Sequence, residues 1–408
     1  MDILKKYSKQ IIAVFALIYI LIEAGTKNDF DIFYQASQDL FNGINIYDKL
    51  YAQWYHYLYS LWFGILIHPL TFFPLYLAKV IWLSLNLFFL YRIFTLAYKK
   101  GIEFNLEQNK LKWALALTFI FCLRFIRDNF HLAQLTIFIL YSLIEGLNFI
   151  WKKENLKGSF LLALGINFKL LPLVIIPYLF WKGYFRAFGL TLFLTGIFFL
   201  SPCLITGMEN YLSFMKSWLQ LINPLQTKHI IDTEERSFHS LTTLLPTLLM
   251  EKVPDQFALQ IKRNIFDLSL NTVNVIIAVV RLFFISLTLF FIGSKPFQKT
   301  ESIRKKWMEL SYLCLIIPLI FPHQQHYAFL LCLPAIFISI IFQFTQKSKL
   351  KILLLSIIYL CFNLTLLLGE FNIYYEHYKI ITYGALLLVI ILVHEKSNYK
   401  SYSKITSK

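Results

Sequence analysis

Runs of about twenty apolar residues, separated by short clusters of lysine and arginine, constrain this chain more than any other feature. A helix needs about 20 mostly apolar residues to cross a bilayer. Runs of that kind lie at 10–25, 75–97, 111–126, 131–151, 187–205, 272–292, 307–321, 327–344, 350–368 and 377–394. The chain is 58% hydrophobic and only 15% charged, where a soluble domain carries about 25% charged residues. Its mean hydropathy is +0.60. The expected fold is therefore an all-α polytopic membrane protein, one integral membrane domain over 1–408. No small-residue cleavage site follows the first run, so that span is expected to be retained.

The basic clusters set the expected sides. Lys5, Lys6 and Lys9 place the N-terminus in the cytoplasm, and the basic tail 396–408 places the C-terminus there too. Assigned this way, the inner loops hold 24 Lys/Arg and the outer loops 11, the bias of the positive-inside rule. That bias also accounts for the net charge of +16, so nucleic acid is excluded as a partner. Loop 26–56 then faces outward and returns through 75–97. The stretch 57–73, broken at Pro69 and Pro74, dips into the outer leaflet as a short helix. The stretch 158–181 has basic residues on both flanks and goes out and back as a hairpin of short helices, with its apex near 167–172, where Pro172 breaks the helix. About twelve membrane or re-entrant helices result. Segment 206–270 is the largest outer loop, and Tyr211–Ile222 within it reads as an amphipathic interfacial helix.

Candidate chemistry follows from polar residues beside lipid, which are costly unless they pair, meet water or react. Asp29 and Asp31 directly follow the first span. Two residues apart on a helix is about 200° around the axis, so the two acids serve different sites. Asp29 is the candidate base and Asp31 the runner-up. Lys169, at the hairpin apex, is a candidate phosphate ligand, with pairing to Glu145 as the structural alternative. Arg127, Asp128, Asn129 and His131 form an outer corner, with Gln134 one turn beyond. His323 and His326, spaced i, i+3, share a helix face, which also fits a metal pair; no acidic or third histidine partner accompanies them, so no metal and no cofactor are expected. Trp54, Tyr55, Tyr57, Tyr59 and Trp62 read as an interfacial aromatic belt rather than a sugar platform. The five cysteines read as small buried hydrophobes.

These residues resemble glycosyltransferase family 87. Asp29-Phe30-x-x-Phe33-Tyr34-x-Ala36 with Leu40-x-x-Gly43-x-x-x-Tyr47 is similar to the family's opening signature. Tyr59-Ser60-Leu61 with Pro69-Leu70 resembles its Tyr-x-Pro…Pro-Leu segment, with Leu61 where proline is usual. Ala133-Gln134 stands where the family has Gly-Gln. Phe168-Lys169-Leu170-Leu171-Pro172 resembles its Lys-x-x-Pro element, Arg236-Ser237-Phe238 falls near an Asn-Gln-Ser-Leu element, and Pro322-His323-x-x-His326-Tyr327 resembles its late loop. The resemblance runs along nearly the whole chain. The departures at Leu61, Ala133 and Glu235-Arg236 suggest a divergent branch.

The resemblance implies a GT-C-type membrane enzyme. It would transfer a hexose, typically mannose, from a polyprenyl-phosphate donor to a hydroxyl of a glycolipid, glycan or protein acceptor, with inversion favoured. Asp29 would take the acceptor proton. Lys169, Arg127, Asn129, His131, Gln134, His323, His326, Tyr327 and Tyr59 would contact substrate. The expected location is a bacterial inner membrane, with the active site facing the periplasm and both termini cytoplasmic. A transporter or flippase of lipid-linked sugars is the competing class, predicting matched inverted repeats, and none is evident. An oligosaccharide ligase is another, not needing Asp29.

Overall fold

The computed structural model describes residues 2–52, 55–104, 106–223, 237–253 and 259–405. Most of it is helical; a two-stranded hairpin, Leu50–Tyr51 with Tyr55–His56, is the one sheet among these residues. The first ten helices are α1 (Asp2–Ala24), α2 (Asp29–Phe41), α3 (Leu61–Ile67), α4 (Leu75–Glu103), α5 (Gln108–Phe121), α6 (Leu123–His131), α7 (Thr136–Trp151), α8 (Asn155–Phe168), α9 (Ile175–Trp181) and α10 (Phe185–Leu200). Longer helices follow at Leu270–Ile292, Ile303–Ile320, Leu333–Gln346, Lys349–Asn363 and Ile380–Ile405.

Among the described residues, five helices are by themselves long and apolar enough to cross a membrane, and seven spans result when two bent pairs are each counted as one. Each of the ten apolar runs lies largely in helix; those at 10–25 and 307–321 are not among these span-capable helices, and two others are broken. The run 111–126 ends at Phe121, and α6 starts anew at Leu123; α6 and α7 then meet at 119°. The outer corner expected at 127–131 is thus a short helix of its own. The run 350–368 breaks after Asn363, and its continuation to His377 turns by 53°.

Residues 158–181 do form a hairpin. Asn167 Nδ2 donates to the carbonyl of Thr195 at 3.3 Å, and Ser159 Oγ to that of Ala187 at 3.0 Å. The helices α8 and α10 therefore run parallel and level, so residues 169–184 must return the chain to the start. The return is a 3₁₀ turn at Leu171–Val174 followed by α9. The stretch 57–73 is a short helix, α3, extended by one 3₁₀ segment, His68–Phe72.

Several charges within the bundle are paired. Arg92 Nη2 on α4 lies 2.5 Å from Glu145 Oε1 on α7, and Asn148 Nδ2 donates to the second oxygen at 3.0 Å. Glu145 is thereby committed to Arg92 and not to Lys169. Buried Lys182 reaches Glu309 at 3.2 Å, and Tyr178 donates to the same carboxylate at 2.9 Å. Such pairing is what makes ionisable side chains tolerable at membrane depth. Cys122, Cys314 and Cys332 are buried, and Cys203 and Cys361 half-buried.

Outside the spans, helix Met208–Ile222 buries Tyr211, Phe214, Met215 and Trp218. That i, i+3, i+4, i+7 spacing is one helical face. Trp218 Nε1 donates to the carbonyl of Leu58 at 3.1 Å, so the amphipathic helix clamps the loop that carries Tyr59. Burying each of these large side chains is worth about 1.5–3 kcal/mol.

Candidate active site

The helix α2 starts where it does because Asn28 and Asp31 form a capping box. The Asn28 side chain accepts from Phe30 N at 3.2 Å, and Asp31 Oδ2 accepts from Asn28 N at 2.9 Å. Lys79 Nζ also holds Asp31 Oδ2 at 2.9 Å while donating to the Thr26 carbonyl at 2.6 Å. Both acceptor roles of Asp31 are architectural: it fixes α2 to α4. Asp31→Asn should cost about 1–2 kcal/mol in detergent unfolding, the scale of a lost cap, while leaving turnover within a few fold.

Asp29, two residues earlier, points elsewhere. Its carboxylate accepts a short hydrogen bond from Gln134 Nε2. Gln134 is buried, and its Oε1 accepts from the Tyr59 hydroxyl at 3.1 Å. The chain Tyr59–Gln134–Asp29 is therefore one directed relay. Lys169 Nζ sits 5.8 Å from the centre of the Tyr59 ring, and its charge couples to that of Asp29. Burial first, and then the Asp29 charge, push the Tyr59 phenol well above its ordinary pKa. It stays protonated and keeps donating to Gln134.

Local backbone explains these positions. Leu132 closes α6, and Ala133 N and Gln134 N bond back to the carbonyls of Phe130 and Asn129 at 3.1 and 2.8 Å. This is a Schellman turn, and its central residue, Ala133, is left-handed at φ +51°. The turn swings Gln134 away from the α6 axis towards Asp29. Tyr59 is set by α3: Ser60 is its N-cap, accepting from Phe63 N at 3.2 Å. The Ser60 hydroxyl also bonds the Asn167 carbonyl, which ties the apex carrying Lys169 to the loop carrying Tyr59.

Some expectations need correction. Tyr57 and Tyr59 are not an interfacial belt. Both are buried, and Tyr59 packs edge-on against Phe33 at 4.8 Å. A hydroxyl buried with a partner is accommodated in a core as readily as at an interface. Trp54 lies outside the described residues, as do Glu235 and Arg236. His323 and His326 do not share a helix face. His323 is in a turn at φ +55° with its ring 5.4 Å from Phe238, and the 3₁₀ segment starts only at His326. Pro322 and the strand-like bridge of Gln325 to Phe238 prevent helix there.

The remaining candidates fall in two other places. His131 Nδ1 lies 2.9 Å from Glu23 Oε2, at the end of α1. Asn129 is fully buried and donates to the carbonyls of Phe125 and Tyr327 at 2.7 and 3.0 Å. It binds α6 to the 326–332 segment, and Tyr327 takes part through its backbone. Arg127 is exposed, whereas its neighbour Asp128 turns inward, 3.1 Å from His326 Nδ1.

That inward side holds residues that the sequence reading passed over. Arg124 Nη2 bonds Glu376 at 2.8 Å, and His239 Nε2 lies 2.5 Å from the other Glu376 oxygen. Arg124 and Glu376 were detectable as ionisable residues in or beside apolar runs, which mark functional sites by default. Burial, reinforced by Lys379 and Arg124 and opposed by Glu376, pushes the His239 imidazole down to about 4. The unfolded chain binds the proton at about 6.5. Stability contributed by neutral His239 is therefore present above pH 6.5 and lost as pH falls towards 4. Melting of the detergent-solubilised protein should shift downward across that window, and His239→Gln should flatten the dependence.

The fold and the polar cluster define a polytopic helical membrane protein with an acid, an amide, a phenol and a lysine gathered at one end of the bundle. A family model for glycosyltransferase family 87 matches residues 57–292, more than half of the chain. The chain belongs to that family and is a membrane glycosyltransferase of GT-C type. The matched stretch holds Tyr59, Arg127, Asn129, His131, Gln134 and Lys169; Asp29, Asp31, His323, His326 and Tyr327 lie outside it. Among curated proteins no relative matches.

Proposed function

We propose that the protein transfers a hexose, mannose being the family's typical sugar, from a polyprenyl-phosphate donor to an acceptor hydroxyl. The acceptor is a glycolipid, glycan or protein. The reading rests on the convergence of Asp29 and Lys169 on the two ends of the Tyr59–Gln134 relay. A base and a cation so placed suit the two ends of an in-line displacement.

In that displacement the acceptor oxygen attacks the anomeric carbon and its proton passes to the Asp29 carboxylate. The bond from the anomeric carbon to the phosphate oxygen breaks, and the phosphate leaves with the electron pair. Lys169 meets the charge gathering on that phosphate, as an ammonium does well. Gln134 holds the Asp29 carboxylate in place through Oδ2. Inversion follows from such a single displacement. The site faces the periplasm of a bacterial inner membrane, with both termini in the cytoplasm, a topology supported by the charge bias of the loops.

The test is incubation of purified protein with radiolabelled polyprenyl-phosphate hexoses and an extract of envelope acceptors. Consumption of one donor with label appearing in a non-prenyl product supports the reading. Consumption of none, with a nucleotide sugar consumed instead, ends it. In the same assay Lys169→Met should lower kcat/KM by about 10²–10³-fold, the cost of one removed charge-stabilising donor, because no other side chain in the relay is cationic.

A further inference from the structure

A polar cavity of about 270 Å³ opens between α6 and the broken segment 349–377. Arg124, Asp128 and His326 line one side, and Thr365, Asn372 and Glu376 the other. The break after Asn363 creates it, since a straight span would carry Asn372 and Glu376 away from α6. Its volume equals about nine water molecules, room for one sugar ring.

The lining carries open hydrogen-bonding capacity of both signs. Arg124 is 3% exposed, yet its Nη1 has no hydrogen-bond partner among the described residues. Asn372 Oδ1 is likewise buried without one. Buried polar atoms are rarely left unpaired, so such groups point to a missing partner. That partner must accept at Arg124 and donate at Asn372, as a hydroxyl can. The lining offers an anion no net positive charge from its arginines and carboxylates, since Arg124 and exposed Arg127 are balanced by Asp128 and Glu376.

We infer that this cavity is a subsite for a neutral hexosyl unit, of the donor or of the acceptor. The assignment rests on the transferase reading for its biological use but not for its chemistry. Arg124 and Asn372 bind two hydroxyls of the ring, and the cavity is tied to the relay through α6 and the turn that aims Gln134.

The test is saturation-transfer NMR on the full chain in nanodiscs, with methyl hexosides as probes and inorganic phosphate as competitor. Saturable transfer to at least one hexoside is expected, undiminished by phosphate and retained in Asp29→Asn. Asn372→Leu, at a half-buried position, should weaken it about fivefold or more, the worth of one lost hydrogen bond; Thr365→Val serves as a second variant. Absence of transfer to any hexoside, displacement by phosphate, or full binding in both variants overturns the assignment. In turnover assays, a raised KM for acceptor alone in Asn372→Leu places the acceptor sugar there, and a raised KM for donor alone places the donor sugar. Unchanged values for both overturn it. Hexoside binding by a protein that consumes no prenyl donor would leave the subsite standing and remove only the reaction.

Discussion

Asp29→Asn should lower sugar transfer by about 10²–10⁴-fold, the range contributed by a positioned general base, with the protein still folded. The amide keeps an oxygen to accept from Gln134 Nε2, so the short bond that places residue 29 survives. Asp31 keeps both the α2 cap and Lys79, so the helix is undisturbed. What the amide lacks is the ability to take a proton. The measurement is single-turnover transfer from the prenyl donor by Asp29→Asn beside Asp31→Asn, with detergent unfolding as the folding control. Activity within tenfold of wild type in Asp29→Asn would remove the base from this residue. Tyr59→Phe falls between the two, because it loosens Gln134 without removing the carboxylate.

Arg92→Met should destabilise the bundle by up to about 3–5 kcal/mol, the cost of leaving a buried carboxylate without its partner. Glu145 is 3% exposed in its side chain and would keep Asn148 but lose its counter-charge. The double variant Arg92→Met/Glu145→Met should recover most of that loss, because replacing both ions with apolar residues of similar volume is near neutral. Both are read by denaturant titration in mixed micelles. A single variant within 1 kcal/mol of wild type would mean that Glu145 reaches water in the native state.

The departures from the family pattern have structural reasons. Leu61 is the first residue of α3, after the cap Ser60. Proline suits that position because its amide would have no helical partner, and a leucine there costs little and buries its side chain. Ala133 occupies the left-handed position of the turn after α6, which glycine takes without Cβ crowding. An alanine can hold it at a cost of about 1–2 kcal/mol, and the Trp82 indole helps by donating to its carbonyl at 2.9 Å. Neither substitution moves Tyr59 or Gln134 out of the relay.

Much of the fold was legible because hydropathy and helix period act locally. The spans, the short helix after residue 60, the hairpin at 167–172 and the amphipathic face of Met208–Ile222 all follow from residues near one another in sequence. That Asp29 and Asp31 meet different partners also followed from helical geometry alone. The places where α6 parts from α5 and where the 350–368 run bends were not legible. Both bends are decided by what the helices pack against, Asn363 bonding back to Phe121 and Arg124 to Glu376.

Sequence alone determined that this chain is a bundle of membrane helices with an acid after the first span and a lysine at a broken hairpin, because apolar length and proline have purely local consequences. Only the tertiary structure decided partners. It gave Glu145 to Arg92, made Gln134 the clamp of Asp29, buried Tyr59 and set Arg124 opposite Glu376. In a low-dielectric interior a charged or polar side chain must be satisfied by whatever lies within about 3 Å, and residues separated by fifty positions or more come that close only after the helices have packed.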